Sequence, residues 1–522
     1  MRLAKEDRPP REGLRFLARA AGSLGLIVLL TAAATATAGL LQIKREIQPP
    51  KGAPKALPSK EVTDAPPGSP QTILILGSDR RYADLKKNNP LLQHSNPARS
   101  DTILLVRMDP HQQATAVLSI PRDLKVLIPG FGINKINAAY SLGGSDLTAK
   151  TLKSLFGADF KINHIVDVNF KGFREVVDAL GCVYADVDRR YYHSNIGLPV
   201  SARYAEIDVN PGYQELCGQR ALDYVRFRHA DSDIVRAARQ QDFLRAAKDQ
   251  LSTSSLIGQR DKLIQIMQKN TQTDSSLRSV KGVLKLAKLA IFSAGHPVAQ
   301  IKFPAVYSGD PKTGEYVEAS AATLQRLRDE FFHASAPVKK AAPSTATKKP
   351  KAVKAPSADA RAAHAKLVGA RTQGENLVTR TVASHRLGFR LYFPTRLTPN
   401  GRYASTVRDA STTDPTPRVY TIRDRAGRPH NAYRLVVLES LNEGSYYGIQ
   451  GTSWMTPPIL ANPTSHVTVN GRTLLLYKAG SRLRYVAWKR KNAVYWVSNS
   501  LTLTLSNAQM LGIAGGLTHV GP

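Results

Sequence analysis

At 522 residues the chain is too long for one ordinary hydrophobic core, so it should hold two or three domains plus connecting material. A formal charge of +33, spread from the N-terminus to the last hundred residues, excludes a single local basic arm and points to a polyanionic environment. DNA, an anionic membrane face and an acidic wall polymer fit that charge equally well, so charge selects no partner.

The first element in chain order is the run Ala20 to Ile43, which carries no charge between Arg19 and Lys44. At a helical rise its roughly 24 residues span about 36 Å, more than the ~30 Å of a bilayer's hydrocarbon core, so residues 20–43 are predicted to form a transmembrane helix. The preceding tail, 1–19, holds Arg2, Lys5, Arg8, Arg11, Arg15 and Arg19 against Glu6, Asp7 and Glu12, which places the N-terminus in the cytoplasm. Lys44, Arg45, Lys51 and Lys55 on the far flank pull the other way. A signal peptide cleaved near Thr35 to Ala38 is the alternative, but the run is longer than a usual signal core. Residues 44–70, rich in Pro, Lys and Ala, read as a stalk.

A large domain is expected over 71–333. Short apolar runs at Ile73 to Leu76, Thr102 to Val106, Thr115 to Ile120 and Ile165 to Val168 suit buried strands. Helical patterns at Leu147 to Leu155, Phe173 to Leu180 and Arg239 to Leu251 interleave with them, which predicts an α/β architecture, a mixed sheet sandwiched by helices. Residues 334–366 have almost no large apolar side chains and mutually repelling lysines, the composition of a disordered linker. Residues 367–522 read as a smaller α+β domain, with strands near 389–393, 433–438, 472–477, 484–488 and 493–498 and a closing helix from Ser506 to Leu517. Trp454, Trp488 and Trp496 suit core or binding surface equally. No acid–base pair, metal cluster or nucleophile signature stands out there, so a binding or accessory role is expected.

Four segments of the large domain place charge at the ends of apolar strands. In Leu76 to Arg80 a strand runs into a Gly turn and then Asp79; in Ala98 to Thr102, Arg99 and Asp101 precede the next strand. Asp79 and Asp101 could supply hard oxygen ligands to Mg²⁺, though a turn-forming Asp and a strand cap would look the same. In Leu118 to Asp123, Pro121 ends a strand and Arg122 and Asp123 stand at its mouth. In Tyr224 to Arg228, strand alternation would set Arg226 and Arg228 on one face, and two adjacent guanidinium groups repel unless an anion lies between them. The helix that follows brings Arg236 and Gln240 to one side. A helix start with arginines beside an arginine strand is a plausible diphosphate cradle, because amide N–H groups and guanidinium forks both favour phosphate oxygens.

Taken together, LGSDR (76–80), RSDTILLVRMDP (99–110), LSIPRD (118–123), NKINAAYSLGG (134–144), VDVNFKGFREVVDALG (166–181) and ALDYVRFRHADSDIVRAARQQDFL (221–244) resemble the LytR-CpsA-Psr family of Gram-positive cell envelopes. The resemblance implies a single N-terminal membrane helix, an extracytoplasmic α/β domain, and transfer of a polyprenyl-pyrophosphate-linked glycopolymer to peptidoglycan. Carried over by motif, Asp79 and Asp101 look like metal ligands for Mg²⁺ or Mn²⁺. Arg99, Arg122, Arg226, Arg228 and Arg236, with Gln240, look like the pyrophosphate site. Arg99, Arg122 and Asp123 are the candidates for catalysis, with Asp123 or a metal-site carboxylate as acceptor of the hydroxyl proton. The insert YADLKKNNPLLQHSNP, between Asp79 and Arg99, departs from shorter family members and blurs the mouth of the site.

The two cysteines, Cys182 and Cys217, have no second cysteine or histidine at metal-finger spacing. On their own they read as two buried thiols or as one disulfide closing a loop of about 35 residues. Many relatives have two glycines where this chain has Gly181-Cys182. The external compartment that the resemblance implies favours the disulfide. A carrier that binds the polyprenyl lipid without transfer is the competing reading. A nucleic-acid regulator lacks any helix-turn-helix or finger signature.

Overall fold

The computed structural model describes residues 56–57, 60–66, 68–78, 100–199, 205–227, 232–250, 260–278, 298–301, 303–304, 306–308, 316–334, 366–384, 387–404, 417–440, 444–469 and 471–520; of Asp101, Asp233, Arg260, Asp261, Ile264, Met267, Gln268, Tyr307, Ala383 and Ser384 it describes the backbone alone. The predicted membrane segment, 20–43, and nearly all of the predicted linker, 334–366, lie outside these residues. Among the described residues no helix is long and apolar enough to cross a membrane.

Six strands of the large domain form one sheet. They are β1 (Gln71–Ser78), β2 (Ser100–Asp109), β3 (Ala114–Ile120), β4 (His164–Asn169), and two further strands, Thr271–Thr273 and Val298–Ile301, that occupy its edges. The central order is β4-β1-β2-β3, with β1 antiparallel to β2, β2 antiparallel to β3, and β1 parallel to β4. The predicted mixed sheet is therefore present. One face packs Leu74, Leu76, Ile103, Leu105 and Leu118 against Ile136, Ala139, Tyr140, Leu152 and Phe156 of helix α1 (Ile136–Phe156). That helix kinks at Gly143 and Gly144, and Gly144 has φ +66° and ψ −154°, a conformation confined to glycine.

This register brings one end of every central strand to the same edge. The last residue of β1, Ser78, pairs with Ser100 of β2 and lies opposite Asn169 of β4, and Ile103 of β2 pairs with Ile120 of β3. A bulge between Gly77 and Ser78 bends β1 there, and Gly77 lies so close to Thr102 that a Cβ would meet the Thr102 Cβ at 3.0 Å.

Beyond β4 come α2 (Phe170–Ala179), β5 (Val183–Val187), β6 (Gly212–Leu216), α3 (Gly218–Arg226) and α4 (Asp233–Gln250). Helix α3 corrects the expectation of a strand at 224–228. Ala221, Leu222, Tyr224 and Val225 are all buried, at the spacing of a helix's inner face, and the chain becomes extended only at Phe227. Arg226 therefore ends a helix instead of sharing a strand face with Arg228, which lies outside the described residues.

Leu57 and residues 60–63, read from sequence as part of the stalk, lie along the domain. The Leu57 and Thr63 amides donate to the Thr273 and Ile162 carbonyls, and Lys153 pairs with Glu61. Leu57 is buried, and these ladder bonds satisfy backbone that a stalk would leave to water.

Cys182 and Cys217 form a disulfide that joins the turn after α2 to the start of α3. Gly181 and Cys182 both have positive φ, +82° and +62°, so the cysteine occupies a backbone conformation that favours glycine. The cross-link is worth about 3 kcal/mol, against a strain of about 1–2 kcal/mol at Cys182. Replacing both cysteines by alanine should therefore lower the urea unfolding free energy, and Cys182→Gly with Cys217→Ala should recover about 1 kcal/mol of that loss. Equal stability of the two double variants would contradict the strain.

The C-terminal region is built on an eight-stranded antiparallel sheet. Its strands include β7 (Arg418–Arg423), β8 (Pro429–Ser440), β9 (Ser445–Thr452), β10 (Arg472–Ala479), β11 (Arg482–Lys489) and β12 (Val494–Ser498), with β8, β9, β12, β11 and β10 adjacent in that order and β7 paired to β8. Helix α5 (Asn507–Gly515) closes it and starts with a capping box, the Ser506 hydroxyl accepting from the Gln509 amide and the Gln509 side chain accepting from the Ser506 amide. Trp454, Trp488 and Trp496 are all buried.

The two regions share a core. Tyr184 of β5 and Tyr213 of β6 pack among Trp454, Trp496, Tyr477 and Tyr485. Arg434 of β8 donates to Asp186 of β5, and Arg484 of β11 donates to Asp242 on α4. Helix α4 thus presents Arg236 and Gln240 near its start and is gripped further along by the C-terminal sheet.

Candidate active site

The Gln240 side chain is the hinge of the site. Its Nε2 donates to Thr102 Oγ1 and to the Val225 carbonyl, each at 3.1 Å. One amide therefore joins β2, beside Asp101, to the end of α3, beside Arg226. Arg236 lies one turn earlier on the same face of α4 and is buried.

Arg226 is fixed from two sides. Its Nε and Nη2 donate to Asp223 Oδ1 at 3.2 and 2.8 Å, and its guanidinium lies 5.4 Å from the ring centroid of Phe170. Phe170 opens α2, whose first turn is capped by Asn169 accepting from the Gly172 amide. The end of β4 and the end of α3 therefore meet at Arg226.

Arg122 and Asp123 follow β3 at the same edge. Arg122 Nε donates to Asp123 Oδ2 at 3.3 Å, and Lys135 Nζ lies 3.1 Å from Asp123 Oδ1. Each carboxylate oxygen thus faces a cation, an arrangement that orients Arg122. The Asn137 amide donates to the Arg122 carbonyl, which anchors this turn on α1.

Of the remaining expected residues, Asp79, Arg99 and Arg228 lie outside the described residues, and Asp101 is placed only as a backbone position on β2. Among the described residues the one group of three or more metal-ligating side chains close together is Asp178, Cys182 and Cys217, and its two sulfur atoms are already bonded to each other.

Two residues at this edge were not singled out by sequence. Asp167 of β4 is buried, accepts from Ser78 Oγ at 2.8 Å, and accepts from the Tyr140 hydroxyl through its other oxygen. An acid inside the apolar run Ile165 to Val168 was a legible signal of a buried network. Arg239 is the second: fully buried, it lies over the rings of Tyr191, Tyr224 and Phe227 at 4.6, 5.8 and 5.8 Å and donates from Nη2 to the Phe227 carbonyl at 2.6 Å.

At one edge of this mixed α/β sheet, strand and helix ends gather arginines and amide donors, groups that favour oxyanions. Residues 43–331, more than half of the chain, match the model of the LytR_cpsA_psr family, and the chain belongs to that family. Relatives include the polyisoprenyl-teichoic acid–peptidoglycan teichoic acid transferase TagT of Bacillus subtilis strain 168, 31% identical over 274 residues that cover 52% of this chain and 78% of TagT. The TagU transferase of Oceanobacillus iheyensis is 32% identical over 220 residues, 41% of this chain and 61% of TagU. Among solved structures, TagT bound to LIIa-WTA has 26% identity and a TM-score of 0.40, covering 53% of this chain and 98% of that one. The YwtF (TagT) protein with bound octaprenyl pyrophosphate lipid has 26% identity and a TM-score of 0.37 over the same shares.

Proposed function

We propose that this chain is a phosphotransferase that attaches a polyprenyl-pyrophosphate-linked glycopolymer to peptidoglycan outside the cytoplasm. The observation that carries the reading is the double hydrogen bond of Gln240. It brings the strand of Asp101, the end of α3 at Arg226 and the helix of Arg236 to one sheet edge, within a family whose relatives are named for transfer from a polyisoprenyl lipid to peptidoglycan. The Cys182–Cys217 disulfide supports an oxidising, extracytoplasmic location. Residues 20–43 are proposed as the membrane anchor, with residues 1–19 in the cytoplasm.

In this reading the hydroxyl oxygen of a peptidoglycan sugar attacks the glycan-side phosphorus. The bond from that phosphorus to the bridging oxygen breaks, polyprenyl phosphate leaves, and the hydroxyl proton passes to a carboxylate at the site. Charge builds on the phosphoryl oxygens, so prepositioned cations supply most of the catalysis. Arg122, Arg226 and Arg236 are assigned to those oxygens with Arg99 and Arg228, and Gln240 to holding their segments in register. Asp123, which faces Arg122 and Lys135, is assigned to orienting Arg122. Asp79 and Asp101 are assigned, by motif, as hard-oxygen donors that would suit Mg²⁺ or Mn²⁺ shared with a phosphate. When bound, the ion would neutralise pyrophosphate charge.

The test uses the purified full chain, a lipid-linked glycopolymer and peptidoglycan. Arg122→Ala and Arg228→Ala should each lower attachment by about 10²–10³-fold with the melting temperature retained. Unchanged attachment in both variants would overturn the reading. Wild-type protein that retains the lipid without releasing polyprenyl phosphate would be a carrier instead.

A further inference from the structure

The C-terminal region holds a cluster of cations that the transferase site does not use. Its floor is aromatic. Tyr392 packs edge-on against Trp488, Tyr495 and the imidazole of His519, with centroids 5.5, 4.8 and 5.2 Å apart, and Trp488 stacks on Tyr495 at 5.2 Å. Tyr392 and His519 are direct partners across two short antiparallel strands, Leu391–Pro394 and Leu517–Val520, while Trp488 and Tyr495 are partners across β11 and β12.

Three arginines surround this floor. Arg472, at the start of β10, lies 5.2 Å from the centroids of both Tyr392 and Trp488, and its Nη1 donates to the Ala514 carbonyl at 3.3 Å. Arg390 is two residues before Tyr392 and Arg490 two residues after Trp488, so extended backbone sets each on the side of its aromatic neighbour. Both are exposed, and neither side chain has an ion pair or hydrogen bond among the described residues. Burial first, and then the charges of Arg390, Arg490 and Arg472, hold the His519 imidazole below the usual histidine range; no carboxylate among the described residues opposes them.

Polar atoms inside the cluster are also unsatisfied. Tyr392 Oη, Trp488 Nε1 and His519 Nδ1 are all buried without a hydrogen-bond partner among the described residues, and Tyr392 and Trp488 are each at least 99% buried. A native fold rarely leaves three such groups together. A run of solvated surface charge does not account for them, because solvated arginines need no aromatic floor and leave no buried donors beneath.

We infer that Arg390, Arg472, Arg490 and His519, over Tyr392 and Trp488, form a second oxyanion site that binds phosphate groups along an anionic glycopolymer. Three guanidinium groups without a carboxylate match consecutive phosphates better than one carboxylate, and planar forks match phosphate oxygens in pairs. The choice of a polymer as ligand rests on the transferase reading; the site itself does not. Its role would be to hold repeats distant from the pyrophosphate, adding effective concentration to the reacting end.

Calorimetry on the full chain with a synthetic poly(glycerol phosphate) tests the site without requiring turnover. Arg390→Ala with Arg490→Ala should weaken binding roughly tenfold. Lys478→Ala with Arg482→Ala, exposed cations at the far end of β10 and β11, should leave it within about twofold. Polymer binding should also raise the NMR-titrated pKa of His519. Equal weakening by both pairs, no weakening by the first pair, or an unmoved His519 would overturn the site. Full competition by inorganic phosphate at equal phosphate concentration would overturn the polymer as its ligand. Loss of attachment activity in Arg122→Ala with polymer binding retained would separate this site from the transfer site.

Discussion

Replacing Asp186 by alanine is expected to lower the unfolding free energy by about 3–5 kcal/mol, because it strands a charge in the shared core. Arg434 is buried, and its Nη1 lies 2.9 and 3.2 Å from the two Asp186 oxygens, while Trp496 Nε1 donates to the same carboxylate at 3.2 Å. Among the described residues the Arg434 Nε and Nη2 have no partner and Asp186 is the one side-chain acceptor of the guanidinium. Its room comes from Gly448, where a Cβ would sit 2.6 Å from the Arg434 Cζ. Removing the acid would leave the guanidinium buried and unpaired and would also orphan the Trp496 donor. Asp186→Leu with Arg434→Met removes both charges at once and should recover most of the loss, since a buried ion pair contributes little beyond an apolar pair of similar volume. Urea unfolding of the two variants measures this. An Asp186→Ala loss under about 1 kcal/mol would show that the pair is not sealed from water.

This pair also shows where the sequence stops being legible. Asp186 and Arg434 are separated by 248 positions, and nothing in either local pattern announces the other. The same holds for Arg484 and Asp242, so an accessory region expected at the end of a flexible linker proves to share a core with the large domain. Local periodicity succeeded where it spans enough residues: the central strands appear at the expected runs, and the i,i+4 spacing of Arg236 and Gln240 does put both on one face of α4. It failed at 224–226, where the same short run satisfies strand alternation and the end of a helix equally well. The buried set from Ala221 to Val225 decides for the helix, and only a longer window contains it. Asp167 was visible as an acid in an apolar run, but its partners Ser78 and Tyr140 are 89 and 27 residues away. Cys182 was conspicuous beside Gly181, whereas its positive φ is a property of the folded turn.

Arg239 should prove to be the most sensitive positioning residue of the transfer site. Its guanidinium is enclosed by Tyr191, Tyr224 and Phe227, and it holds the Phe227 carbonyl, the first extended residue after Arg226 and the last before Arg228. The segment carrying two of the proposed phosphate ligands therefore takes its direction from a side chain that is itself buried. Arg239→Lys keeps the charge but loses the planar fork and its stacking, so the Phe227 carbonyl would no longer be held at one angle. A displacement of about 1 Å at a reacting group costs on the order of 10²-fold in rate, and a comparable fall in glycopolymer attachment is expected. The fall should appear in turnover more than in the apparent affinity for the lipid-linked donor, because arginines that reorient still attract pyrophosphate while stabilising the transition state less. Arg239→Leu should go further and destabilise the fold itself, since it leaves the Phe227 carbonyl without its donor. Wild-type turnover in Arg239→Lys, with the protein folded, would mean that the Arg226 segment is held by Asp223 and Phe170 alone.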